Sequence, residues 1–108
     1  MRSNESQRQD VLHSLRVGKP NARKRMELWS MTGMSDREMR QAVADLRRIG
    51  YPICNDQDGE GYYLSAEPEQ ITSQIKQIDS RIKALAIAKR GLKKYLKNPK
   101  YRQERLEI

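Results

Sequence analysis

The chain has 108 residues, of which 36% are hydrophobic and 33% are charged, and its formal net charge at pH 7 is +8. This length fits one small domain with an extension and excludes a second, catalytic domain. No apolar run approaches the ~20 residues that cross a bilayer, and the N-terminus has no secretory signal pattern. We therefore expect a soluble, cytoplasmic protein that does not associate with membranes.

The first predicted element is a short helix whose apolar face consists of Val11, Leu12 and Leu15 and ends near Gly18. Residues 18 to 21 have the sequence GKPN and predict a connector, because glycine and proline interrupt regular structure. His13 is the only histidine, and we expect it to be a packed or surface side chain rather than a metal ligand.

A second amphipathic helix is predicted over residues 22 to 32, with Asn21 as its N-cap. Its apolar candidates are Met26, Leu28, Trp29 and Met31. Arg23 and Lys24 at its start are placed either to hold phosphates or only to face solvent, and the sequence leaves both roles open. Gly33 then supplies the tight turn that a helix-turn-helix unit requires.

Independent signals predict a third helix over residues 36 to 49. Ser35 and Glu38 have the spacing of a capping box, in which the two side chains satisfy each other's backbone amides. Asp36 in the first turn opposes the positive end of the helix dipole. Gly50 suits the left-handed position that follows the last residue of a helix.

Helical spacing divides this third helix into two faces. The apolar face contains Met39, Ala42, Val43, Leu46 and Ile49. The opposite face contains Arg37, Arg40, Gln41, Ala44 and Arg48. Arginine reads guanine, glutamine reads adenine, and a small alanine allows close approach to the major groove. The second face is therefore a candidate DNA-reading surface, and a merely solvated helix face is the alternative.

The residues YPICN and GYYLS flank an acidic run and predict a short β-hairpin. Asp56, Asp58 and Glu60 at its tip would be repelled by phosphate, so the tip points away from a duplex or meets a basic protein partner. A solvated turn is the alternative. Cys54 is the only cysteine, which excludes an internal disulfide, and we expect it to be a small buried hydrophobic residue in a strand.

Residues 8 to 65 resemble the winged helix-turn-helix domains of small bacterial and phage DNA-binding proteins, above all in TGMSDREMRQAVADLRRIGYPICN followed by GYYLS. The resemblance implies three helices, a two-stranded wing and a DNA-reading second helix in the turn unit. It assigns DNA contact to Ser35, Arg37, Arg40, Gln41, Ala44 and Arg48. The acidic wing tip departs from the basic tip of many relatives, and such domains also serve as protein-binding modules.

A long amphipathic helix is predicted over residues 67 to 97, with Pro68 in its first turn and a stop before Pro99. Its apolar residues follow a heptad repeat, with Ile75, Ile82 and Leu96 at position a and Ile71, Ile78, Leu85 and Leu92 at position d. Lys89 interrupts the a series. A sustained 3.5-residue period favours an oligomerisation helix that pairs with a second copy, and packing back onto the N-terminal domain is the alternative.

Charge is distributed unevenly along the three expected parts, which are a domain over residues 1 to 66, the helix over 67 to 97 and a tail over 98 to 108. Residues 1 to 66 carry a net charge of +2 and residues 67 to 108 carry +6. Residues 80 to 103 contain nine bases and no acid. A basic helix end and tail of this kind commonly reaches nucleic acid, although a solvated lysine-rich helix is the ordinary alternative.

The sequence predicts a small, sequence-specific double-stranded DNA-binding protein that acts as a homodimer or larger homo-oligomer. Regulation of transcription and an accessory role in replication or recombination both fit, and a phage origin is compatible. The alternative is an adaptor or inhibitor that binds a protein through the winged helix and acidic wing. Catalysis has no support, because the chain lacks a glycine-rich phosphate loop and a nucleophile–base pair. No metal or cofactor is expected.

Overall fold

The computed structural model of the chain describes residues 4–55, 61–98 and 100. The helices are α1 (Asn4–Ser14), α2 (Arg25–Thr32), α3 (Asp36–Ile49) and α4 (Pro68–Lys97), with a 3-10 turn at Lys19–Asn21. The strands are β1 (Arg23–Lys24), β2 (Ile53–Asn55) and β3 (Gly61–Leu64). The chain is mainly helical with a long C-terminal helix, as predicted, and the predicted small β-hairpin is part of a three-stranded sheet. Within this described part, no helix has both the length and the apolar character needed to cross a membrane.

The chain divides into two compact units after Gln74. The first unit includes the start of α4, where two side chains of the helix form hydrogen bonds within that unit. Gln70 Oε1 accepts a hydrogen bond from Ser65 Oγ at 2.5 Å, and Gln74 Oε1 accepts one from the amide of Asn55 at 2.9 Å. The second unit contains the remainder of α4.

The sheet has three antiparallel strands in the order β1-β3-β2. Ile53 of β2 lies opposite Leu64 of β3, and Arg23 of β1 lies opposite Tyr62 of β3. The expected hairpin strands are therefore present, and β1 adds a strand to the two that the resemblance implied. A two-residue strand is fixed by backbone pairing with a distant segment, so its own sequence carries no signal for it.

The predicted start of the second helix is wrong, because α2 begins at Arg25 rather than at residue 22. The two residues before it form β1, and Lys24 occupies the N-cap position in an extended conformation without a side-chain cap bond. Asn21 is not the N-cap. It ends the 3-10 turn instead, and its side-chain amide donates to the carbonyl of Val17 at 3.0 Å.

The core of the first unit contains residues from α1, α2, α3 and the sheet and from the segments that follow α1 and α2. Its buried members are Val11, Leu15, Leu28, Met34, Met39, Ala42, Val43, Leu46, Ile53 and Tyr62. Three residues that helical spacing placed on apolar faces are exposed instead, since Met26 is 71%, Met31 is 51% and Ile49 is 61% accessible. Leu28 is consequently the buried residue of α2. An eight-residue helix is too short for periodicity to define which side faces the core.

The turn between α2 and α3 is closed by backbone and side-chain bonds at both ends. Gly33 adopts φ +69°, a left-handed conformation, and its amide donates to the carbonyl of Trp29 at 2.8 Å. The capping box predicted at the next helix is confirmed, because Ser35 Oγ accepts the amide of Glu38 at 3.2 Å and Glu38 Oε1 accepts the amide of Ser35 at 3.0 Å. Gly50 ends α3 with φ +115°, also as predicted.

Replacing Ser35 by alanine is expected to lower the free energy of unfolding of the first unit by about 1 kcal/mol, because the amide of Glu38 loses its cap. Urea titration followed by the fluorescence of Trp29, the only tryptophan, measures this change. Ser30→Ala is the matched control, because Ser30 is exposed within α2 and caps no helix. Equal effects of the two substitutions would show that the cap does not stabilise α3.

Candidate nucleic-acid interface

The polar face of α3, defined as Arg37, Arg40, Gln41, Ala44 and Arg48, is exposed along its whole length. The opposite side of the helix is buried at Met39, Ala42, Val43 and Leu46. Burial of this apolar stripe fixes the rotation of α3 about its own axis. The five predicted DNA-reading residues therefore face outward together as a single accessible surface.

Ser35, at the start of this surface, has a structural role in addition to any contact it makes. Its Oγ accepts the amide of Glu38, and Glu38 Oε2 also accepts a hydrogen bond from Gln7 Nε2 at 2.6 Å. These bonds connect α1 to the first turn of α3. Ser35 therefore fixes the first turn of α3, from which the polar face begins.

Two carboxylates contact three of the four long side chains of the polar face, which are Arg40, Gln41 and Arg48. Asp36 Oδ2 lies 2.8 Å from Arg40 Nη2, and Asp36 Oδ1 lies 3.8 Å from Arg25 Nη1. Asp45 Oδ1 accepts from Gln41 Nε2 at 3.0 Å and lies 3.6 Å from Arg48 Nη2. The cations of the polar face therefore lie beside two carboxylates and do not form a purely cationic stripe.

Asp45 also connects α3 to α1, because its Oδ2 lies 3.8 Å from Arg8 Nη1. This role was not predicted from the sequence. The spacings of Asp45 to Gln41 and Arg48 could have indicated its contacts within α3, whereas no local signal indicates its contact with Arg8. The carboxylate is 15% exposed, so it lies at the base of the polar face rather than at its rim.

The ion pairs of the polar face do not prevent its arginines from binding a ligand. The Arg48 and Arg40 side chains are 75% and 63% exposed. Pairs this exposed contribute about 0–1 kcal/mol each, whereas one bidentate contact from arginine to guanine is worth about 1–3 kcal/mol. The ion pairs of Arg40 and Arg48 are therefore weak enough to be exchanged for a stronger contact.

Arg23 and Lys24, the other predicted phosphate contacts, lie in β1 and differ in accessibility. Lys24 is exposed, whereas Arg23 is half-buried and its Nη1 lies 3.5 Å from Glu27 Oε2. Arg23 Nε is buried and has no hydrogen-bond partner among the described residues. Lys24 is thus the better placed of the two for a ligand.

Arg47 is a residue of α3 whose role the sequence did not indicate. Its Nε donates to the carbonyl of Ile53 at 2.9 Å, and its Nη2 donates to Asn55 Oδ1. Both acceptors lie in β2. Arg47 therefore joins α3 to the sheet, although its neighbour Arg48 belongs to the polar face and is exposed to solvent.

Cys54 is buried in β2, as predicted, at 2% accessibility. Its Sγ donates to the carbonyl of Gln70 at 3.8 Å, and burial raises the pKa of its thiol. The thiol is therefore a packed group in its protonated form at neutral pH. His13 is exposed, which is one of the two positions expected for it.

The oligomerisation residues predicted on α4 fall into two groups. Ile71 is half-buried in the first unit. Those in the second unit have accessibilities between 39% for Ile78 and 70% for Leu96, and they are Ile75, Ile78, Ile82, Leu85, Leu92 and Leu96. Ile87, outside the heptad seam, is also 57% accessible. An apolar surface is thus exposed along the second unit.

The acidic wing tip, with Asp56, Asp58 and Glu60, lies outside the described residues. Of the basic tail predicted at residues 98 to 108, the described part is Asn98 and Lys100. Neither prediction is tested by the fold.

The described part of the chain contains no group of three or more histidine, cysteine, aspartate or glutamate side chains placed to hold a metal ion. Comparisons with known protein families, with curated proteins and with solved structures find no match to this chain.

Proposed function

We propose that the protein is a small winged helix-turn-helix protein that binds double-stranded DNA through the polar face of α3 and acts as a homo-oligomer through α4. The observation that carries the proposal is the exposure of Arg37, Arg40, Gln41 and Arg48 opposite a buried apolar stripe on the same helix. The order of elements, with two helices before α3 and two strands after it, supports the same proposal. Transcriptional regulation and an accessory role in replication or recombination are the functions that fit it.

The turn at Gly33 allows α2 to lie against the DNA backbone while α3 enters the major groove. In this arrangement, Arg40 and Arg48 leave their carboxylate partners and contact guanine or phosphate, and Gln41 leaves Asp45 to contact adenine. Ala44 provides space for the helix to approach the base edges. The base preference of the protein would then arise from α3.

The exposed bases of α4 supply a second, sequence-independent contribution to affinity. Between residues 80 and 100 the described bases are Arg81, Lys83, Lys89, Arg90, Lys93, Lys94, Lys97 and Lys100, and all of them are exposed. No acid lies in this range. Such a surface binds phosphates by counterion release and shows little base preference.

Fluorescence anisotropy of a labelled random duplex, titrated with the whole chain at about 50 and 200 mM salt, tests the proposal. If about six bases neutralise phosphates, the log-log salt slope is about −5, which corresponds to an affinity loss of about a thousandfold between the two conditions. Tight, salt-sensitive binding supports the proposal. Absence of binding at about 50 mM salt by folded protein would contradict it.

Arg40→Ala is expected to relax base preference, with a loss of about 1–3 kcal/mol on the preferred site, because one arginine no longer reads a base. Removal of residues 98 to 108 is expected to weaken all duplexes alike. Site selection from a random library, followed by titration of preferred and random duplexes, measures both effects. Arg16→Ala, which removes an exposed arginine outside the polar face of α3, is the charge-matched control. The reverse pattern would contradict this division of roles.

One observation favours the second candidate function, a protein-binding adaptor. Asp36 and Asp45 lie beside arginines on α3, and a surface of mixed charges is complementary to another protein as well as to DNA. Duplex binding separates the two functions. An adaptor would show no duplex affinity at low salt even when the protein is folded and oligomeric.

A further inference from the structure

The apolar seam of α4 is the largest feature that DNA binding leaves unexplained. It consists of Ile75, Ile78, Ile82, Leu85, Leu92 and Leu96, with Lys89 at the remaining heptad position. Its apolar members are between 39% and 70% accessible. Contiguous apolar surface of this kind marks an interaction site.

We propose that a second copy of the chain covers this seam in the antiparallel direction, so that the two α4 helices run in opposite senses. The inference specifies the oligomer named in the proposed function, and it does not depend on DNA binding. Two observations support the antiparallel direction. They are the position of Lys89 within the seam and the uneven charge along α4.

Lys89 distinguishes the two directions. In a parallel, in-register pair, each residue at heptad position a lies beside the same residue of the second copy. Lys89 would therefore lie beside Lys89 of the second copy. Asp79 would then be ten residues away, about 15 Å along the axis, and unable to neutralise the two cations. A parallel pair therefore places two like charges in the centre of an apolar seam.

An antiparallel pair removes this conflict. In this pair, residues at heptad position a of one helix meet residues at position d of the other. Ile82 then lies level with Leu85 of the second copy, and Ile75 lies level with Leu92 of the second copy. The same alignment places Lys89 level with Ile78 of the second copy. Asp79 of the second copy, which is at heptad position e, then lies beside Lys89. Both halves of the pair gain this contact, because the arrangement is symmetric.

The residues flanking the seam allow this contact. Ala86 at e and Ala88 at g are both exposed and small. In the antiparallel alignment, Ala86 lies across from Asp79 of the second copy and leaves its carboxylate room to reach Lys89. Alanine at the flanks also lets the two helices approach closely.

The distribution of charge along α4 also favours antiparallel pairing of the two helices. Residues 68 to 79 hold two acids and one base, whereas residues 80 to 97 hold seven bases and no acid. A parallel pair aligns the two basic segments along their whole length. An antiparallel pair sets each basic segment largely beside the weakly acidic segment of the other copy, which reduces repulsion between them.

Cross-linking of cysteine variants of the full chain tests the direction, after the molar mass in solution has been measured. Leu92→Cys and Ile75→Cys are treated with a short bis-maleimide, each alone and as an equilibrated mixture. The antiparallel pair predicts cross-linked dimer in the mixture and none in either variant alone. Cross-linking of each variant with itself would overturn the proposal, as would a monomeric mass at tens of micromolar chain. The wild type, whose Cys54 is buried, is the uncross-linked control.

Charge exchange provides a second test that needs no cysteine. D79K is expected to weaken self-association about tenfold, because each dimer loses two exposed ion pairs, and D79K/K89E is expected to regain that loss. Sedimentation equilibrium measures the dissociation constants. A double variant no tighter than D79K would overturn the antiparallel contact. Fluorescence anisotropy of a duplex with the same proteins tests DNA binding separately from the antiparallel dimer. Antiparallel dimers that bind no DNA would contradict the proposed function but not the antiparallel pairing.

Discussion

Truncating Leu28 to alanine is expected to lower the free energy of unfolding of the first unit by about 2–5 kcal/mol. Leu28 has 0% accessibility and is the buried residue of α2. Its removal takes apolar surface from the core and leaves a cavity where α2 meets the rest of the unit. A loss of this size is a large fraction of the stability of a small domain, which is about 5–15 kcal/mol. Urea titration followed by Trp29 fluorescence measures it.

Met26→Ala is the matched control for Leu28→Ala. Both residues are large, apolar and in α2, but Met26 is 71% accessible. Its truncation is expected to change the free energy of unfolding by less than about 0.5 kcal/mol, as is usual for exposed positions. Equal effects of the two substitutions would contradict an α2 that turns Leu28 toward the core and Met26 toward solvent.

Arg47→Ala is expected to lower the free energy of unfolding by about 2–3 kcal/mol, because the carbonyl of Ile53 and the side chain of Asn55 lose a charged donor. Both acceptors are partly buried from solvent, so water replaces the guanidinium poorly. The change acts on the attachment of α3 to β2, which holds the polar face in place. Urea titration followed by Trp29 fluorescence again measures the loss.

Arg48→Ala is the adjacent control and is expected to behave in the opposite way. Its guanidinium is 75% exposed and paired with Asp45 at 3.6 Å, so the stability of the unit is nearly unchanged. Duplex affinity is expected to fall about fivefold or more, because the complex loses a contact worth about 1 kcal/mol or more. Equal stability losses at these two neighbouring arginines would contradict the distinction between them.

Local signals in the sequence predicted α3 correctly at both ends. The capping box of Ser35 and Glu38 and the left-handed Gly50 depend on residues a few positions apart, so the sequence contains all that is needed to place them. The buried stripe from Met39 to Leu46 follows for the same reason, because a long helix with strong periodicity defines its own apolar side. Ile49 departs from that stripe because it lies at the exposed last turn.

The start of α2 and the third strand were not predictable in this way. Arg23 and Lys24 fit a helical pattern when taken with the residues after them, but they pair with Tyr62 and Gly61, almost forty residues away in the chain. Backbone pairing at that distance overrides a weak local preference. The exposure of Met26 and Met31 follows from the same cause, since the rotation of a short helix is set by what it packs against.

Short-range patterns along the chain were sufficient for the helical class, the limits of α3, the composition of its polar face and the heptad spacing of α4, because each depends on residues within a few turns of one another. Other features arise only in the folded chain. Asp36 and Asp45 contact Arg40, Gln41 and Arg48 of the polar face. Arg47 joins α3 to β2, whereas Arg48 faces solvent. Within the first unit, Gln70 bonds to Ser65 and Gln74 bonds to Asn55. The bonds of Arg47 and Gln74 to β2 join different elements of the fold. Those within α3 depend on which side of the helix the core leaves exposed. Neither condition is set until the chain has folded.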